Sequence, residues 1–232
     1  MIAGYAQNGY FDEALKLFQR MQLTKVKPNA ETFPSVLPAC ANLAALEPGK
    51  VLHLYIIKSG FESDVFVGST LIDMYAKCSS IGDASKVFDG MSTRNVVSWN
   101  AMIAAYAIHG CGKQALDLFE QMKHSDTSPN QVTFVGVLSA CCHAGLVSEG
   151  RQYFNSMSVD YHITPVMEHY CCMVDLLGRT GCLDEAHDFI NKMPIEPDTA
   201  VWQSLLGACR THANVDLGEK VAERLSNVGL PF

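Results

Sequence analysis

Five stretches of this 232-residue chain are near copies of one another. They are DEALKLFQRM (Asp12 to Met21), GDASKVFDGM (Gly82 to Met91), KQALDLFEQM (Lys113 to Met122), SEGRQYFNSM (Ser148 to Met157) and DEAHDFINKM (Asp184 to Met193). Where neighbouring copies adjoin, their closing methionines lie 31, 35 and 36 residues apart. A unit of that size cannot bury its apolar face alone and must stack on its neighbours. The expected fold is therefore all-α, a right-handed superhelical solenoid of about seven helix-turn-helix repeats without a sheet. The five closing methionines are expected to be buried between helices.

Within KQALDLFEQM, Ala115, Leu116, Leu118, Phe119 and Met122 lie on one face of an amphipathic helix. Acidic residues such as Asp12, Asp83, Glu149 and Asp184 open these helices and complement their positive ends. Another apolar helical pattern precedes each copy, as in WNAMIAAYAIHG (Trp99 to Gly110) and FVGVLSACCHAG (Phe134 to Gly145). Gly9, Gly110, Gly145 and Gly181 follow these first helices, where a left-handed cap favours glycine. Pro-Asn or Pro-Asp steps ending at Asn29, Asn130 and Asp198 close units after the second helix. Each unit is thus an antiparallel helix pair. The cuts fall at Met1–Asn29 (truncated), Ala30–Asp64, Val65–Asn95, Val96–Asn130, Gln131–Val166, Met167–Asp198 and Thr199–Phe232. Pro38 lies inside a first helix, where the lost backbone donor predicts a kink.

Met1 falls inside a repeat, which implies no signal or transit peptide in this numbering. The longest uncharged run, Thr127 to Ser148, is broken by polar residues and glycines and does not read as a membrane span. Nine cysteines without a glycosylation sequon suggest a reducing compartment. Cys40, Cys141 and Cys209 recur at one place in their units, a packing signature, and no cysteine pair has the spacing of a structural zinc site. No metal or other cofactor is expected. No phosphate loop, nucleophile elbow or paired-carboxylate constellation is present, and the chain does not read as an enzyme.

The unit VVSWNAMIAAYAIHGCGKQALDLFEQMKHSDTSPN (Val96 to Asn130) closely resembles the repeat of plant pentatricopeptide repeat proteins. The mixture of long, short and standard units resembles the subclass built from mixed-length triplets. VTFVGVLSACCHAGLVSEG, HYCCMVDLLGRTGCLDEA and MPIEPDTAVWQSLLGACRTHANVDLGE resemble the end of such an array and its first C-terminal extension motif. The resemblance implies a repeat array over 1–198 and an extension motif over 199–232 that forms a further helix pair. No deaminase-like domain follows, since the His-x-Glu and Cys-x-x-Cys elements are absent.

In this family one unit reads one RNA base with two or three side chains. The reading pair lies near the start of the first helix and at the end of the unit. Here it falls on Ser69 with Asn95, Asn100 with Asn130, Cys171 with Asp198, and Pro34 with Asp64; Val135 holds the early place in its unit. Phe66, Val97 and Val132 would clamp the base faces. Asn at a helix start is also a common cap, and Asn or Asp after Pro a common turn residue, so both readings stand at this point.

The formal net charge of −7 runs against phosphate-driven binding. First helices carry Asp73, Lys77, Glu168, Asp175, Arg179 and Arg210, which cancel, so the surplus acid lies on second helices and connections. Lys77, Arg179 and Arg210 are the candidate phosphate contacts. The resemblance implies sequence-specific binding of single-stranded organellar RNA, as a specificity factor for cytidine-to-uridine editing in mitochondrion or chloroplast. A deaminase-domain protein and other editing factors would act in trans. The alternative is a protein-interaction scaffold in an organellar RNA-processing complex with little RNA binding of its own.

Overall fold

The computed structural model of the chain describes residues 1–24 and 26–228, which form fourteen helices and no strand. The first helices of successive repeats are α1 (Ile2–Gln7), α3 (Thr32–Asn42), α5 (Val65–Lys77), α7 (Val96–Ile108), α9 (Gln131–Ala144), α11 (Met167–Arg179) and α13 (Thr199–Thr211). The second helices are α2 (Phe11–Leu23), α4 (Leu46–Lys58), α6 (Ile81–Gly90), α8 (Gly112–Lys123), α10 (Val147–Val159), α12 (Leu183–Asn191) and α14 (Val215–Val228). The expected extension motif covers the pair α13 and α14; its residues 229–232 lie outside the described residues. Among the described residues no helix is long and apolar enough to cross a membrane.

The chain divides into two compact bodies, Met1–His109 with His124–Thr127, and Gly110–Lys123 with Ser128–Phe232. In the first body, α1, α3, α5 and α7 pack each on the next, and α2, α4 and α6 each pack on the first helix that follows. The second body repeats the plan with α9, α11 and α13 and with α8, α10 and α12. Edge-to-face and tilted aromatic contacts join each second helix to the following first helix. Phe88 meets Trp99 with ring centroids 5.1 Å apart, Phe119 meets Phe134 at 5.5 Å, and Phe154 meets Tyr170 at 5.3 Å. Such pairs contribute about 0.5–1.5 kcal/mol each beyond the area they bury.

The closing methionines follow this core only in part. Met91, Met122 and Met157 are buried, whereas Met21 and Met193 are half-buried. Met193 lies past the end of α12, in the connection to α13, and Met21 sits in the repeat where the chain begins. Helix α3 continues through Pro38. Val36, Leu37, Ala39 and Cys40 are all fully buried around that proline, and their packing outweighs the missing hydrogen bond.

The short repeat Val65–Asn95 closes differently from its neighbours. The Arg94 guanidinium donates from Nε and Nη2 to the Phe88 carbonyl at 3.1 and 3.0 Å, capping the end of α6. It also lies 4.5 Å over the Phe88 ring.

The first helices end in a left-handed residue at one repeated place. Gly9, Gly110, Gly145 and Gly181 have φ of 79°, 68°, 67° and 81°. In the remaining repeats the place falls to Ala44, Ser79 and Ala213, with φ of 50°, 59° and 54°. The following amide closes the turn, as where Ala45 N donates to Cys40 O, Leu146 N to Cys141 O and Asn214 N to Cys209 O, all at 2.9 Å. The recurring cysteines therefore end their helices with the backbone while their thiols pack inward, at 0%, 0% and 2% exposure for Cys40, Cys141 and Cys209. Burial pushes the Cys40 and Cys141 thiols up to about 12.

An L-residue with a side chain is strained at positive φ by about 1–2 kcal/mol, part of which glycine returns as chain entropy. Ala44→Gly, Ser79→Gly and Ala213→Gly should each stabilise the chain by about 0.5–1 kcal/mol. Urea unfolding midpoints measure this, and Gly110→Ala should shift the midpoint the other way.

Candidate nucleic-acid interface

Five first helices, α3, α5, α7, α9 and α13, open on the same local chemistry. The Asn95 carboxamide oxygen accepts from Val97 N at 3.0 Å and Ser98 N at 3.1 Å, and Ser98 Oγ accepts from Asn95 N at 3.0 Å. Asn130 and Thr133 form the same reciprocal box, with Asn130 Oδ1 accepting from Thr133 N at 3.0 Å. Asn29 and Thr32 do likewise before α3. Asp64 accepts from Phe66 N and Val67 N, and Asp198 from Val201 N. These bonds satisfy amides that a helix start otherwise leaves open.

Val166 has no side-chain acceptor to offer, and α11 keeps only the other half of the box, with His169 in the place of Ser98 and Thr133. Its Nδ1 accepts from Val166 N at 3.1 Å, so its Nε2 donates to the Gln131 carbonyl at 2.9 Å. The ring is fully buried and ties the first turn of α11 to that of α9.

Counting from these caps, the third residue points inward in α5, α7, α9, α11 and α13. Val67, Ser98, Thr133, His169 and Val201 are all fully buried. The second residue points out. Phe66 is 67% exposed, Val97 46% and Val132 61%. Three large apolar side chains thus stand in solvent at one repeated place, each two residues from a polar cap. The sequence singled out these three as clamping residues.

The fifth residue carries the early member of each expected pair. Ser69 is the least accessible, at 6% exposure, with its hydroxyl donating to Val65 O at 2.7 Å. Its expected partner Asn95 caps the adjacent packed helix α7. Pro34 on α3 and Asp64 before α5 stand in the same relation within this body, and both are half-buried. Asn100 is half-buried on α7, in the first body. Asn130 and Val135 are half-buried at the start of α9, in the second. Cys171 and exposed Asp198 lie on packed α11 and at the start of α13. Burial first, and then the Asp198 carboxylate, raise the Cys171 thiol pKa. Gln203, exposed at the fifth place of α13, was missed. It could have been found by carrying the Asp198 spacing one repeat further.

The cations near the ends of first helices are tied down. Lys77 pairs with Asp73 at 3.0 Å and Arg179 with Asp175 at 2.9 Å, each four residues apart at equivalent places in α5 and α11. In α13 the acidic place is held by Gly207, and among the described residues Arg210 has no ion-pair partner. Arg210 opens with Gln203, Thr199 and Ser226 onto a surface depression of about 530 Å³. Asp175 also accepts from the Cys142 thiol at 3.0 Å, and burial raises that thiol's pKa. Among the described residues no group of three His, Cys, Asp or Glu side chains converges to hold a metal.

Because the cap needs only an oxygen acceptor, Asn95→Ala and Asn130→Ala should each cost about 1 kcal/mol, while Asn→Asp at either place should be near neutral. Thermal or urea unfolding of the four variants checks this. A stable alanine variant would mean that the caps carry no weight.

The PPR repeat family profile matches residues 1–42 and 94–143, and the PPR repeat profile matches residues 69–96, 132–160 and 168–196. Together these stretches take in more than half of the chain. A pentatricopeptide repeat-containing protein of Arabidopsis thaliana is 51% identical over 228 residues, 98% of this chain and 32% of its own length. The chloroplastic pentatricopeptide repeat-containing protein CRR2 of the same plant is 50% identical over 227 residues, 97% of this chain and 35% of its own. A mitochondrial pentatricopeptide repeat-containing protein of that plant is 44% identical over 225 residues, with 97% and 32% covered. This chain spans about a third of the length of these relatives. The crystal structure of the maize pentatricopeptide repeat protein PPR10 in complex with an 18-nt psaJ RNA element shares its fold, with a TM-score of 0.63 at 17% identity, over 99% of this chain and 39% of that one. Repeat, caps and fold agree: the chain belongs to the PPR repeat family of plant pentatricopeptide repeat proteins.

Proposed function

We propose that this chain binds single-stranded RNA one base per repeat, and serves organellar RNA processing as a specificity factor for cytidine-to-uridine editing. The observation that carries the binding is the exposure of Phe66, Val97 and Val132, each two residues beyond a polar cap. An apolar side chain in that place stacks on a base face, and the cap amide lies within reach of a base edge. Relatives named as chloroplastic and mitochondrial support an organellar setting. The likeness to a repeat protein crystallised on RNA supports the ligand class. Editing itself rests on the resemblance to the mixed-length subclass, with the deaminase acting in trans. No residue of this chain is assigned to catalysis.

In the family's correspondence Ser with Asn favours adenine and Asn with Asn favours pyrimidines, with the chain running N to C along RNA running 5′ to 3′. Ser69 with Asn95 should therefore select adenine, and Asn100 with Asn130 the C or U that follows it. Cys171 with Asp198, Pro34 with Asp64, and the repeat of Val135 carry less hydrogen-bonding information.

Asn130→Asp keeps an oxygen for the helix cap but removes the amide donors. The variant should shift preference toward uracil, whose N3–H donates, and away from cytosine. Competition between RNAs that differ at that base alone measures the shift; equal discrimination by both proteins would leave Asn130 a cap and nothing more. Lys77 and Arg179 are already paired, so few counterions should be released on binding. The logarithm of affinity should fall against that of salt with a slope no steeper than about −2, the single-strand value for three phosphates.

A further inference from the structure

The second helices share a pattern that one of them breaks. Each has a small residue at one repeated place: Ala14, Gly49, Ala84, Ala115, Gly150, Ala186 and Gly218. Two and five places further on, six of the seven carry polar residues: Lys16 and Gln19, Lys86 and Asp89, Asp117 and Glu120, Gln152 and Asn155, Asp188 and Asn191, Lys220 and Glu223. In α4 those places hold Val51 and Leu54, 51% and 57% exposed. Solvent-facing positions need no apolar residue, and two stand in line as a seam on the one deviant helix, Val51 at the edge of a groove beside Leu15 and Gln19 of α2 and Leu54 beyond it.

The ends of that seam indicate what covers it. Glu47, Val51, Leu54 and Lys58 follow spacings of four, three and four, which sets all four on one stripe of α4. Glu47 is exposed at the acidic end, where it pairs with Lys50 of the same helix at 3.0 Å, and Lys58 is exposed at the basic end. In an antiparallel pair of such helices, with the two-fold axis between Leu52 and His53, Val51 faces Leu54 of the second copy. Glu47 then faces the second copy's Lys58, which can take the place of its own Lys50. Every contact is made twice, as an isologous interface requires. A partner of uniform charge would meet repulsion at one end.

We propose that this chain self-associates through α4 as an antiparallel two-fold dimer, with Val51 and Leu54 at its centre and Glu47–Lys58 pairs at both ends. A seam of one 13-residue helix per copy buries less than the roughly 1,600 Å² of a standard interface, so the dimer is weak and concentration-dependent. It uses the outward side of α4, away from α3 and α5, and involves none of the capping or second-place residues proposed for RNA.

Sedimentation equilibrium of the full 232-residue chain between about 2 and 200 µM tests the dimer over the range in which weak interfaces dissociate. The chain should pass from monomer to dimer. Leu54→Lys should raise the dissociation constant at least about tenfold, since it buries an unpaired charge in the seam, with an unchanged circular dichroism spectrum because Leu54 makes no part of the core. Glu47→Lys and Lys58→Glu should each weaken the dimer alone. Mixed together they should associate, because each then supplies the charge the other lacks. A chain that stays monomeric at the highest concentration overturns the proposal. So does a dimer that ignores Leu54→Lys, or single charge variants that fail to associate on mixing.

Discussion

The seam between a second helix and the next first helix governs everything the repeats present outward. Phe18 meets Phe33, Phe88 meets Trp99, Phe119 meets Phe134 and Phe154 meets Tyr170. In each case the receiving ring is the fourth residue after the cap. It fixes the first turn of the helix against the preceding repeat. The third residue is drawn into the same buried layer. With third and fourth places held inside, the second place must face solvent, by helical periodicity alone. The exposure of Phe66, Val97 and Val132 is thus a consequence of core packing one residue away. Only Gly68 breaks the aromatic series, and there a side chain would press on Met91.

Features of the fold that depend on local chemistry were readable from the chain. Helix α9 begins at Gln131, directly after Asn130, because a cap and the end of a helix stripe are both written in adjacent residues. Glycine marks the left-handed turn wherever it occurs. Ala44, Ser79 and Ala213 adopt the same turn without that mark, because repeat packing imposes it over their own preference. The run of α3 through Pro38 has the same origin, as buried neighbours override a local signal. Met21 and Met193 show the converse limit: a stripe repeated in sequence does not ensure equal burial, since each methionine needs helices on both sides. The capping role of His169 was hidden because no rule of spacing links an imidazole to a cap. His169 fills the third place, where Ser98 and Thr133 accept from the amides of their own caps.

Charge sets what kind of recognition such a surface can perform. The net charge is −7, and two of the three basic groups near the ends of first helices are held by a carboxylate on the same helix. Burial and pairing leave little free positive potential to attract phosphate indiscriminately. Affinity for a nucleic acid must then come from stacking and from base edges, terms that depend on which base is present. Arg210, released by Gly207 at the acidic place, is the exception at the C-terminal repeat.

The helix cap narrows the chemistry available at the end of each repeat. A residue there must accept a backbone N–H before it can do anything else, which restricts the place to Asn and Asp in Asn29, Asp64, Asn95, Asn130 and Asp198. The two differ in what remains after capping: Asn retains amide donors, and Asp only a second acceptor. The fifth place carries no such duty, and it varies freely through Pro34, Ser69, Asn100, Val135, Cys171 and Gln203. On the proposed reading, a two-residue reader would have one position with two settings and one with many. Val166 escapes the restriction, since its side chain accepts nothing and α11 keeps only the third-place half of the box, His169 accepting from Val166 N. That repeat gives up its polar end group, and its buried histidine ties α11 to α9.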